Sequence, residues 1–324
     1  MVHSAKTTLR VERTELSRVR QEILFEILNT AVQAASFKKI HDLRIGLEQN
    51  LSAQVKAIRT AVHGGGARLT DLGLASGRLS QATALRTSAE ANYQSLLTRL
   101  VSLLPRFDAD RMSPDEIELD RLGIHLPPSL DDALTQAMEY SIAIRGARAE
   151  LEKASAERDV TKTERWPKLT VNMQWQQGSF GNVSADSDAI FLGLNTPLYE
   201  GGARIAAAKS ASYRHEASKE TLTQEIRNLK QQVGELWARW QALQASCLAW
   251  DRSIADQTRT LRLTHEQRSG GGATEIDVLQ AESIQLESRL QGVEQQLTRD
   301  RAKLQLLSQI GLLDFPVVKT VHSR

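Results

Sequence analysis

Asp71 and Asp277 are two carboxylates whose surroundings repeat. One follows Gly64-Gly65-Gly66-Ala67 and the other follows Gly270-Gly271-Gly272-Ala273. A carboxylate just past a chain reversal can accept the free backbone N–H groups that open a helix, and it sits favourably at the positive end of the helix dipole. No bond-making chemistry assembles elsewhere. The seven histidines are scattered, with no His-Glu-x-x-His, no phosphate-binding loop and no Gly-x-Ser-x-Gly. Cys247, the sole cysteine, excludes an internal disulfide and any paired-cysteine metal site. It falls in an apolar helical seam and reads as a small core residue. Trp237, Trp240 and Trp250 lie on or beside the same seam, where packing is the expectation. The other carboxylates lie along charged helix faces. The sequence therefore reads as a non-enzyme that needs neither cofactor nor metal.

The elements that carry these residues are long helices. The 324 residues are 41% hydrophobic but only 5% aromatic, with seven prolines, a composition for narrow apolar seams and not for a wide globular core. Basic and acidic residues nearly balance, 41 against 39, and no basic block points to nucleic acid. No stretch approaches the ~20 apolar residues of a spanning helix. The first residues, MVHSAKTTLRVERTELSRVR, contain no apolar run of the kind a secretory signal needs. Taken alone, these features describe a soluble cytoplasmic chain, a reading the internal repeat opposes.

The two glycine runs belong to a long-period repeat. Gly64, Asp71 and Ala75 recur as Gly270, Asp277 and Ala281, each 206 residues on. Long helical patterns flank both. Leu222, Ile226, Leu229, Val233, Leu236, Trp240, Leu243 and Cys247 keep a four–three spacing. Ile276, Leu279, Leu286, Leu290, Val293, Leu297, Leu304 and Leu307 fit one seam with polar Ser283 and Asp300. Residues 203–269 lack proline and hold one glycine, Gly234; a continuous helix there would extend ~100 Å. In the first half, Leu47, Leu51, Val55, Ile58 and Val62 lead into Gly64, and an outgoing helix is expected over 67–104. Each half is thus expected to be a helical hairpin with the glycine triplet as its tip. A proline- and acid-rich strap over 105–128 joins the halves, and a new helix is expected from near Ser129 to about Glu164.

Residues 167–199 have period two. Leu169, Val171, Met173 and Trp175 alternate with Thr170, Asn172, Gln174 and Gln176; a loop is expected over 178–188; Ile190, Leu192 and Leu194 then alternate with Phe191, Gly193 and Asn195. Phe191 falls on the polar side. Two strands do not make a stable unit alone, whereas one apolar and one polar face suit a barrel with lipid outside and water inside. The repeat would place a matching first hairpin ahead of Met1, so that hairpin, and any signal before it, are expected to be missing from this sequence.

The strings PLYEGGARIAAAKSA (197–211) and WPKLTV (166–171), with the two Gly-Gly-Gly-Ala tips, resemble TolC-type outer-membrane factors over roughly residues 15–312. The paired glycine tips resemble the adhesin and agglutination exporters of that group. The resemblance implies a homotrimeric duct, a twelve-stranded outer-membrane barrel above a periplasmic helical tunnel whose tips meet an adaptor and an inner-membrane transporter. It implies type I protein secretion or small-molecule efflux. By position Asp277 and Asp71 would line the periplasmic entrance; Gln280 stands where some members carry a second aspartate, which would weaken any acidic ring. The glycines at 64–66 and 270–272 would face the adaptor. Leu169, Val171, Met173, Trp175, Ile190, Leu192 and Leu194 would face lipid, and Thr170, Asn172, Gln174 and Gln176 the lumen.

The expected architecture is therefore mainly α: a first helical hairpin (1–104), the strap (105–128), a leading helix (129–166), a barrel hairpin (167–199), a second long helical hairpin (200–312) and a tail (313–324). Three copies would supply six strands, too few for that barrel, so the chain by itself is expected not to conduct. The alternative is a soluble coiled-coil scaffold whose β-hairpin packs on its own helices.

Overall fold

The structure, a computed structural model, describes residues 2–104, 119, 125–163, 166–180, 183–195 and 201–313. Most of the expected strap, the junction at 196–200 and the tail beyond 313 lie outside the described residues. Within them the order is α1 (Val2–His63), α2 (Leu69–Leu103), α3 (Leu130–Tyr140), α4 (Ile142–Thr163), β1 (Lys168–Phe180), β2 (Val183–Asn195), α5 (Ala203–Ser269) and α6 (Glu275–Ile310). The mainly helical fold with one β-hairpin is as the periodicity indicates. The uninterrupted 67 residues of α5 follow from the lack of any proline and from a single tolerated glycine.

Two expectations are corrected. The helix expected over 129–164 is divided at Ser141, which is buried and whose carbonyl accepts the Arg145 N–H at 3.0 Å, as an N-cap residue does. Neither glycine nor proline marks that break. The loop expected over 178–188 is instead mostly strand: the ladder runs to Phe180↔Val183.

The chain forms two compact units. One comprises residues 1–18 and 141–229, the other residues 19–140 and 230–324. In the first, α4 and α5 bury small residues, Ala149 and Ala156 on one side and Ala208 and Ala211 on the other. Arg10 of α1 is ion-paired with Glu152 of α4. The antiparallel strands pair from Lys168↔Asn195 upward.

In the second unit, Leu47 and Leu51 of α1 pack with Ala82 and Ala89 of α2 and Leu290 of α6. Alanines at the α2 positions allow close helix approach. A second cluster joins Leu24 and Val32 of α1 to Leu304 and Leu307 of α6. The α5 seam is buried at Val233 and Cys247, but Trp237 is buried where the heptad favours Leu236. Its ring lies 5.5 Å from that of Trp240, so these tryptophans pack. Gly311 ends α6 in the left-handed conformation (φ 87°), its N–H reaching the Leu307 carbonyl at 3.1 Å.

Candidate functional site

The two glycine turns are one structure built twice. Gly64 N–H reaches the Thr60 carbonyl at 3.1 Å, and Gly270 N–H the Glu266 carbonyl at 3.2 Å. Gly66 and Gly272 donate to Ala61 and Gln267, both at 2.8 Å. Only the central glycines, Gly65 (φ 73°) and Gly271 (φ 77°), adopt the left-handed conformation that side chains disfavour. A Cβ added at Gly64 or Gly66 would meet only backbone oxygens at ordinary contact, 3.6 Å or more. The reversal therefore requires one glycine of each triplet, and all six are exposed.

The aspartates cap the helices that leave these turns. Asp277 accepts from the Thr274 N–H at 2.8 Å and the Thr274 hydroxyl at 2.7 Å; its own N–H returns to Thr274 Oγ1 at 3.2 Å. This is a capping box with aspartate in place of the usual glutamate. The backbone bond from Thr274, followed by its hydroxyl, holds the Asp277 carboxyl below the ordinary aspartate range. Asp71 accepts the Arg68 N–H at 3.2 Å, but arginine supplies no hydroxyl to complete the box. Gln280 is exposed beside a cleft that Leu47, Leu51 and Arg78 also line.

Sequence reasoning missed a buried polar link beside the tips. The Asn50 side-chain amide donates to Glu282 Oε2 at 2.7 Å, and Gln54 donates to Asn50 Oδ1 at 2.8 Å and to the Leu279 carbonyl at 2.9 Å. Asn50 and Gln54 follow Leu47 and Leu51 by three residues, a helical spacing that could have marked them as part of a wider buried face.

In the hairpin, register decides which residues share a face. Leu169↔Leu194, Val171↔Leu192 and Met173↔Ile190 are direct partners, so they and Trp175 lie on one side. All seven of these side chains are 55–75% exposed. The opposite face pairs Thr170 with Gly193, Asn172 with Phe191 and Gln174 with Ala189; Thr170 Oγ1 donates to the Gly193 carbonyl at 3.2 Å. Gln176 is opposite Ser187 in the ladder, and its side chain lies outside the described residues. Among the described residues no helix is long and apolar enough to cross a membrane, and no cluster of His, Cys, Asp or Glu could hold a metal.

A family model described as "Outer membrane efflux protein" matches residues 133–312, more than half of the chain. The chain belongs to that family. It is 23% identical over 294 residues to the outer membrane efflux protein BepC of Brucella suis, covering 87% of this chain and 61% of BepC; it thus spans about three-fifths of that relative's length. The alkaline protease secretion protein AprF of Pseudomonas aeruginosa is 28% identical over 102 residues, 31% of this chain and 21% of AprF. The open-state MtrE outer membrane channel of Neisseria gonorrhoeae has the same fold, with a TM-score of 0.76 and 16% identity over 95% of this chain and 71% of MtrE. The TolC-type resemblance holds for family and fold, which are those of outer-membrane channels and not of enzymes.

Proposed function

We propose that the chain is a protomer of a homotrimeric TolC-type export duct. Its hairpin contributes to an outer-membrane barrel, its helices to a periplasmic conduit, and its glycine tips to the contact with an adaptor and an inner-membrane transporter. One observation carries this reading: the register collects seven apolar residues on one exposed face while Thr170, Asn172 and Gln174 occupy the other. A barrel strand needs such faces, one toward lipid and one toward water. The alternative scaffold with a packed hairpin would bury Leu169, Leu192 and Leu194, and these are 65–71% exposed.

The trimer draws support from α1, which leaves Leu9, Leu16, Val19 and Ile23 exposed at the spacing of a coiled-coil seam. Asp71 and Asp277, at the tips, are the residues proposed to line the periplasmic entrance, with Gln280 beside them. Three copies would bring like carboxylates together, and these would repel one another and attract cations. The cargo is protein or small molecules; the relatives include protease secretion proteins and an outer membrane efflux protein. Three described hairpins supply six strands, fewer than the roughly eight of small bacterial barrels, so the 324 residues by themselves are expected to give no single-channel conductance.

The test is cysteine labelling in outer membranes. The background is Cys247→Ser, which removes a buried thiol that burial also pushes up in pKa. Single cysteines at 169, 171 and 192 should resist a water-soluble maleimide, and those at 170, 172 and 174 should react. Equal aqueous labelling of both sets would sink the duct.

A further inference from the structure

The two tips share a backbone but carry opposite charge. Over residues 55–80, Lys56, Arg59, Arg68 and Arg78 face one acid, Asp71, a formal balance of +3. Over the equivalent residues 261–286, Arg262 and Arg268 face Glu266, Glu275, Asp277 and Glu282, a balance of −2. Apolar exposure differs as well. Leu69 (76%) and Leu74 (70%) are among the most exposed leucines of the chain, and the second tip has Glu275 and Gln280 at those repeat positions.

The acidic tip of another copy is a poorer complement, because three of its four acids are satisfied internally. Glu275 is paired with Arg268, Asp277 is bonded to Thr274, and Glu282 accepts from Asn50. The four exposed cations of the first tip take part in no ion pair among the described residues. Exposed leucines flanked by uncommitted cations match a surface that offers apolar side chains and carboxylates together.

From this asymmetry we infer that the α1–α2 tip, and not the α5–α6 tip, docks an acidic, leucine-bearing helical segment of another protein. The inference rests on the duct reading for its biological setting, since there the tips meet a partner. Its chemistry stands on the tip alone.

The probe is a fluorescent synthetic helical hairpin with leucine at a and d positions and glutamate flanking them. A lysine-flanked twin serves as control, and binding to the full 324-residue chain in detergent is read by anisotropy. The acidic probe should bind and the lysine twin should not, and added salt should weaken binding. Leu69→Glu with Leu74→Gln, which installs the second tip's residues, should weaken binding about tenfold or more. Glu275→Leu with Gln280→Leu should not weaken it. Circular dichroism establishes that each variant is folded. Absence of binding, equal binding by the first-tip variant, or loss confined to the second-tip variant would each overturn the proposal. So would a first-tip variant that loses self-association in sedimentation while keeping the probe, since the occupant would then be another copy. Strand labelling that contradicts the duct, combined with intact probe binding, would remove the duct reading and leave the docking surface.

Discussion

Gln54 of α1 donates its side-chain amide to the backbone carbonyl of Leu279 in α6, 2.9 Å away across the helix interface. Both residues are buried. The same amide bonds Asn50, which in turn holds Glu282, so one glutamine ties the helix entering the first tip to the helix leaving the second. A polar group placed in an otherwise apolar seam fixes register, since sliding by a turn would strand it without partners.

Gln54→Ala should therefore lower stability by about 1–3 kcal/mol, the cost of stranding buried polar groups. Asn50→Ala should cost less once Gln54 is already gone, because the two act as a unit. Urea unfolding of the single and double variants measures both terms. Additive losses would mean that the link is not cooperative.

The glycine triplets should tolerate substitution unequally. Gly65→Ala and Gly271→Ala place a Cβ at positive φ and should each cost about 1–2 kcal/mol. Gly64→Ala and Gly66→Ala meet no steric obstacle and should be neutral, or slightly stabilising through the unfolded chain. Thermal unfolding of the four variants separates the central position from its neighbours. Because the turn does not need the outer glycines, a loss of partner binding on replacing them would report close approach by the partner.

Much of this was legible because it is local. Spacing and repeat offset anticipate where the turns fall: α1 ends at His63 and α5 at Ser269, 206 positions apart, although α2 starts at Leu69 and not at 67. Alternation put the seven apolar strand residues on one face, as the ladder does. The misses come from context that a one-dimensional pattern does not carry. Residues 178–188 have loop composition, yet the ladder continues through most of them, because pairing is set by the partner strand as much as by propensity. Asn50 and Gln54 sit beside the α1 seam and are buried because α6 packs there as well as α2. Trp237 displaces Leu236 from the expected seam for a related reason: a heptad reading assumes one partner, and these helices have more.

The two tips also differ in how their outgoing helices begin. Arg68 (φ −95°, ψ 153°) and Thr274 (φ −90°, ψ 165°) hold the same extended backbone, each three residues before an aspartate. Thr274→Ala should cost about 1 kcal/mol, and Arg68→Thr should recover a similar amount by completing the first box. A melting temperature that falls on Arg68→Thr would show that the arginine has a structural role beyond the cap.

Acid should weaken the second cap. Because the Thr274 bonds hold the folded pKa of Asp277 below its unfolded value, its contribution is fully present above the unfolded aspartate pKa of about 3.9. It fades as pH falls through the folded value. Wild type should therefore exceed Asp277→Asn in stability at neutral pH, and the gap should close in acid. A gap independent of pH would mean that the carboxylate's charge contributes nothing at the turn.

Within the second helical hairpin, Gly292 of α6 lies against Ile254 of α5. A Cβ built there would lie 2.7 Å from Ile254 Cδ1, too near for contact, but the obstacle is the mobile end of one side chain. Gly292→Ala should thus be modestly destabilising, about 1 kcal/mol, as overpacking opposes the helix-propensity gain. Ile254→Val deletes the offending methyl, so the pair Gly292→Ala with Ile254→Val should regain most of that loss although Ile254→Val alone costs stability. Unfolding midpoints of the two single variants and the double variant test this. A double variant no better than the sum of its parts would place the constraint in the backbone separation of the two helices and not in that methyl.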